Sequence, residues 1–124
     1  MLTILIVDDQ PSVLDALRQC FALEPDIQII GKASDGVTAL AMAQELHPDI
    51  VVTDIKMPNM DGLAATTALR KVEPKIKVII LSIYDDTSTR AQALSAGAVE
   101  FVGKHDPAEA LLAAVRRAGG GSIH

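Results

Sequence analysis

The stretch IVVTDIKMPNMDG, Ile50–Gly62, starts as a strand and finishes as a loop. Ile50–Thr53 is an unbroken β-branched run, the composition of a strand covered on both faces. Asp54 follows at once, and Pro58, Asn59, Asp61 and Gly62 then turn the chain. On either side of this stretch, short apolar runs alternate with helical patterns. Thr3–Val7, Ile27–Lys32, Ile76–Leu81 and Val99–Val102 predict four further strands. Pro11–Leu23, Gly36–Leu46, Gly62–Val72, Asp86–Ala96 and Pro107–Ala118 predict five helices. Leu14, Leu17 and Phe21 share one face of the first helix, and Leu40, Ala43 and Leu46 align on the second. Gly97 is placed to end the fourth helix and Pro107 to open the fifth. The pattern predicts (βα)5, an α/β doubly wound, five-stranded parallel sheet with right-handed crossovers and helices on both faces.

The 124 residues suit one domain. Hydrophobic residues make up 49% and aromatics only 2%, so Leu, Ile, Val and Ala must fill the core. Sixteen acidic against eleven basic residues give a net charge of -5, which disfavours direct contact with nucleic acid. The scarcity of aromatics disfavours a base-stacking surface. A single cysteine, Cys20, excludes an internal disulfide and reads as a buried, inert thiol. MLTILIV lacks the basic flank of a secretory signal, and no apolar run reaches the ~20 residues of a membrane span. A cytoplasmic protein is expected.

Ligands of doubly wound sheets bind beyond the carboxyl ends of the strands. The residues there are Asp8 and Asp9 after the first strand, Asp54 after the third, Ser82 after the fourth and Lys104 after the fifth. Singly, each has a bland reading as a helix cap, a turn former or a surface charge. Together they converge on one edge. Asp35 after the second strand reads only as a helix cap, if that strand lies at the sheet edge. Carboxylates crowded into one crevice repel, and a hard divalent cation resolves the repulsion; Mg²⁺ fits best because it retains waters for a phosphoryl substrate. A carboxylate beside such an ion and a lysine is suited to accept a phosphoryl group.

The ordered set ILIVDD, DIKMPNMDG, Ser82 and SAGAVEFVGK resembles the response-regulator receiver domains of bacterial two-component systems, over residues 2 to about 118. The resemblance implies a flavodoxin-like strand order 2-1-3-4-5, with residues 1–118 as the receiver and 119–124 as the start of a linker or a disordered tail. It implies that Asp54 is the phosphoacceptor. Asp9 and Asp54 would bind Mg²⁺ (or Mn²⁺), Asp8 through water, with the backbone carbonyl of Lys56. Lys104 and Ser82 would hold the phosphoryl group, and Phe101 would be the switch aromatic, against its plain reading as a fixed core ring. Lys56, Ile83 and Tyr84 would tune phosphate lifetime. The donor would be a sensor histidine kinase, and the chain would act as a switch and not as a turnover enzyme. Its output face would be the fourth helix, fifth strand and fifth helix, with a homodimer through that face or through the first and fifth helices.

The run from Asp85 to Ala118 further resembles the NarL/FixJ (LuxR-like) transcription regulators. There the GGGSIH tail would lead to a helix-turn-helix output domain; the alternative is a stand-alone receiver acting through protein contacts. His105 stands where many receivers have a proline after the lysine, which puts their cis bond in doubt, and Ile83 is bulkier than usual. His47, His105 and His124 show no metal-ligand spacing. A phosphatase of the haloacid-dehalogenase type needs a second acid two residues after its nucleophile, where this chain has Lys56. A flavodoxin needs a Ser/Thr/Gly-rich loop after the first strand, where this chain has DDQPS. A pseudo-receiver would lack the acidic set.

Overall fold

The computed structural model describes residues 1–120. Five strands, β1 (Leu2–Val7), β2 (Ile27–Ala33), β3 (Ile50–Thr53), β4 (Lys77–Ser82) and β5 (Glu100–Gly103), alternate with five helices, α1 (Pro11–Ala22), α2 (Gly36–Leu46), α3 (Gly62–Val72), α4 (Thr87–Ala96) and α5 (Ala108–Ala118). All pairings are parallel and the order is β2-β1-β3-β4-β5. The expected topology is therefore the observed one.

Side-chain alternation divides the sheet between two cores. Ile4, Ile6, Ile50, Val52 and Ile79 face Leu14, Leu17 and Phe21 of α1 and Leu111 and Val115 of α5. Leu5, Val7, Val51, Val78 and Ile80 face Ala39 and Ala43 of α2, Leu69 of α3 and Ala93 of α4. Every residue of β3 is buried, as the opening stretch requires. Burying each such side chain contributes about 1.5–3 kcal/mol, and a one-residue slip would exchange the faces of a whole strand. This fixes the register, and with it the height at which each strand hands over its terminal residue.

Several boundaries differ from expectation. β4 runs Lys77–Ser82 and β5 Glu100–Gly103, one residue later than the apolar runs. Ile76 is buried, but its N–H bonds the Glu73 carbonyl in a turn, so it precedes the ladder. Asp86 and Pro107 are N-caps and not helical residues, and Leu23 is the C-cap of α1. Asp61 and Asp35 cap α3 and α2 as read, accepting from the N–H groups of Ala64 and Thr38. Gly97 closes α4 at φ 114°, where a side chain would be strained. Cys20 is half-buried and not buried, at a cleft between α1 and α5. Burial, reinforced by Glu24 and Glu109, pushes its thiol up, so it stays protonated and inert at neutral pH. His47 caps α2 in the left-handed region at φ 50°, with Nδ1 3.4 Å from the Glu73 carboxylate. Of the tail read as a linker start, Gly119 is the C-cap of α5, and 121–124 lie outside the described residues, His124 among them. Among the described residues no helix is long and apolar enough to cross a membrane, and none of the peptide bonds is cis, that after Lys104 included.

Candidate functional site

The register places the site. Val7 pairs with Thr53, so Asp8 and Asp54 leave neighbouring strands at the same level. The ladder continues one step, with the Asp54 N–H donating to the Val7 carbonyl at 3.1 Å. Ser82 pairs with Gly103, and the Lys104 N–H donates to the Ser82 carbonyl at 2.8 Å, which puts Lys104 just beyond the same edge.

The Lys104 ammonium bridges two carboxylates, 2.8 Å from Asp8 Oδ2 and 3.0 Å from Asp54 Oδ2. Each carboxylate uses its other oxygen on a backbone N–H. Asp8 Oδ1 accepts from Gln10 at 2.9 Å and Asp54 Oδ1 from Ile55 at 2.7 Å. Asp8 is therefore no cap of α1, whose N-cap is Gln10 without a side-chain bond. The Asp8 side chain is 1% exposed, and those of Asp54 and Lys104 are 14% exposed. Asp9 is exposed at the rim. Burial pulls the Lys104 ammonium down, but the hydrogen bonds and charges of Asp8 and Asp54 outweigh it, so its pKa lies above the ordinary lysine value.

Asp8, Asp9 and Asp54 each offer a carboxylate oxygen within 4.8 Å of the others. Three negative charges against the single ammonium leave an excess of two, in a cluster open to solvent through Asp9 and Asp54. Hard oxygen donors with a divalent deficit of positive charge suit Mg²⁺ or Mn²⁺.

Ser82 is fully buried, and its Oγ accepts from the Tyr84 N–H at 3.0 Å; the structure does not bond it to the carboxylates. Phe101 is half-buried and packs against the second core beside its register partner Ile80, with the Arg90 guanidinium carbon 4.7 Å from the ring centroid. Lys56 is exposed in the loop after Asp54, its ammonium 4.9 Å from the Tyr84 ring centroid. Ile83 is half exposed beside them.

Around the loop after Asp54, Asn59, Asp35 and Gly62 do more than turn or cap the chain. Asn59, at φ 69°, donates from its side-chain amide to Asp35 Oδ2 at 2.9 Å, and the Gly36 N–H donates to the Met60 carbonyl at 2.9 Å. Asp35 is thus more than a cap. The Gly62 N–H donates to the Ile55 carbonyl at 2.7 Å, and a Cβ on Gly62 would fall 1.9 Å from the Asp54 carbonyl oxygen. Only glycine allows α3 to start this close to Asp54. Gly62→Ala should shift the loop and cost about 2 kcal/mol through overpacking against rigid backbone; unchanged urea denaturation would contradict this close approach.

A five-stranded receiver sheet with three acids and a lysine at its carboxyl edge defines a class, and the comparisons agree with it. Residues 4–116 match the family described as the response regulator receiver domain. The chain belongs to that family, the receivers of two-component systems. Among its relatives is the transcriptional regulatory protein DegU of Brevibacillus brevis, 34% identical over 123 residues, covering 98% of this chain and 52% of DegU. The signal receiver domain of the response regulator NarL from Mycobacterium tuberculosis superposes with a TM-score of 0.92 at 28% identity, covering 97% of each chain. A chain of the CheX–CheY–BeF3–Mg²⁺ complex from Borrelia burgdorferi superposes with a TM-score of 0.88 at 30% identity, covering 94% of this chain and 87% of that one. The chain spans about half the length of the curated relatives it matches.

Proposed function

We propose that this chain is a phosphorylation-dependent switch in which Asp54 accepts a phosphoryl group from the phosphohistidine of a sensor kinase. The observation that carries the reading is the Lys104 bridge between Asp8 and Asp54, with Asp9 beside them. Lys104 holds the Asp54 carboxylate in one orientation and stays protonated at neutral pH. In the transfer, an Asp54 carboxylate oxygen attacks phosphorus, the phosphorus–nitrogen bond to the donor imidazole breaks, and the imidazole keeps the electron pair and takes up a proton. Asp8, Asp9, Asp54 and the Lys56 carbonyl would hold Mg²⁺. That ion would neutralise charge on the transferring oxygens. The CheY complex, by its description, contains BeF3 and Mg²⁺, which agrees with a phosphoryl-like group and a divalent ion in this fold.

The added phosphoryl group carries about -1.5 to -2 charge and three acceptor oxygens. Lys104 pairs with it, and Ser82 exchanges its bond to the Tyr84 N–H for one to the phosphoryl group. Phe101 then turns inward, and the face formed by α4, β5 and α5 changes shape. This is a shift between two populations. DegU is by its name a transcriptional regulatory protein, which supports a transcriptional output controlled by this face or by a homodimer. Incubation with acetyl phosphate, with and without Mg²⁺, followed by intact-mass measurement, should give one labile adduct that requires the ion. An unmodified chain would overturn the proposal.

Lys56 and Tyr84, stacked on one another, and Ile83 beside them set how readily water reaches the phosphoryl group. Replacing both Lys56 and Tyr84 by Ala should speed hydrolysis of the adduct several-fold, by about the 0.5–1 kcal/mol of an exposed cation–π contact. An unchanged half-life would show that they play no such part.

A further inference from the structure

Arg90 lies outside the acidic site, and nothing in the proposed phosphoryl chemistry uses it. It stands in the first turn of α4, half-buried. Among the described residues it forms no ion pair. Its charge instead makes two contacts that lead back to the switch. Nε donates to the Asp85 carbonyl at 3.0 Å, and the guanidinium lies over the Phe101 ring at 4.7 Å.

These contacts close a circuit. Ser82 Oγ holds the Tyr84 N–H, and Asp85, next in the same loop, holds Arg90 through its carbonyl. Arg90 covers Phe101, and β5 continues from Phe101 to Gly103, which pairs with Ser82. The hydroxyl and the ring are thus tied twice, through the sheet and through Arg90. A guanidinium is planar and weakly hydrated, so it stacks on a ring better than an ammonium does.

We infer that Arg90 is a positioning residue that latches Phe101 in its present, half-buried place and so sets the threshold of the switch. The inference rests on the switch reading above and adds a residue to it. When Ser82 lets go of Tyr84, the loop carrying the Asp85 carbonyl is freed, and Arg90 loses its anchor as the ring departs. Removing the cation weakens only the resting state, so the switched state becomes easier to reach. The contact is of a strength that corresponds to a change of about two- to five-fold in the switching equilibrium.

The chain has two phenylalanines, one tyrosine and no tryptophan, which makes the test direct. Fluorophenylalanine labelling gives two fluorine resonances, one from Phe21 in the core and one from Phe101. In Arg90→Gln without added ligand, the Phe101 resonance should move and the Phe21 resonance should stay, which also reports that the variant is folded. Trifluoroberyllate with Mg²⁺ then serves as the phosphoryl probe, followed by Tyr84 fluorescence. Half-saturation should fall about two- to five-fold in Arg90→Gln and by less in Arg90→Lys. In a Phe101→Leu background, Arg90→Gln should have no effect. An unmoved Phe101 resonance, an unchanged half-saturation, or an equal effect in the Phe101→Leu background would overturn the latch while leaving the switch standing. A wild-type chain that ignores the probe would overturn the switch reading and the latch with it.

Discussion

Lys104→Met is expected to cost about 2–3 kcal/mol of folding stability and to slow phosphoryl uptake about 100-fold. The stability loss comes from Asp8. Its carboxylate is 1% exposed and keeps only the Gln10 N–H once the ammonium is gone. Breaking a buried pair leaves a charge with no partner, which costs more than the pair contributes in the first place. The loss is smaller than for a deeply buried pair because Asp54 and Lys104 are each 14% exposed and water screens them in part. The pKa of Lys104 is raised in the folded state, so its contribution is complete below the unfolded value and is lost only as pH rises through the folded one. The wild-type bridge is therefore intact at neutral pH. In Lys104→Met the deficit should shrink on addition of Mg²⁺, which would restore positive charge beside the carboxylates. Urea denaturation across pH, with and without Mg²⁺, reads all of this; a variant as stable as wild type at neutral pH would mean that Asp8 needs no counter-charge. The uptake defect follows from losing a fixed cation at the transferring oxygens, an effect of the size found when one preorganised donor is removed.

Asp54→Asn should abolish the acyl phosphate altogether while leaving the fold intact. The amide has no carboxylate to attack phosphorus. It does keep an oxygen for the Ile55 N–H, so the start of the loop need not move. One of three crowded negative charges disappears, which relieves repulsion, and one of the two bonds to Lys104 weakens, which opposes that gain. The net change in stability should lie within about 1 kcal/mol. Intact mass after acetyl phosphate and Mg²⁺ gives the answer. An adduct on this variant as abundant as on wild type would assign the acceptor to another side chain, Asp8 and Asp9 being the other carboxylates of the cluster.

Much of this was legible in the residues. The β-branched run Ile50–Thr53 and the aliphatic runs beside it gave the strands, because strands buried on both faces have little choice of composition. Asp8, Asp9, Asp54 and Lys104 could be placed together because the parallel topology brings all strand ends to one edge. The late starts of β4 and β5 were hidden, since Ile76 is buried by a turn and apolar character does not mark where the ladder begins. The supports of the loop were hidden for another reason. Asn59 and Asp35 lie 24 positions apart and meet only in the folded chain. The need for glycine at Gly62 comes from the Asp54 carbonyl beside it, which no local pattern records. Arg90 was invisible because α4 buries only Ala93, so its helical pattern singles out no face.

The proposed switch depends on Asp54 as the acceptor. Borohydride reduces an acyl phosphate of aspartate to homoserine, and peptide sequencing by mass spectrometry then locates it. After treatment of the wild-type chain with acetyl phosphate and Mg²⁺, homoserine should replace aspartate at Asp54 alone, and omission of the ion should abolish it. Homoserine at any other aspartate, or none at Asp54, would contradict the central claim.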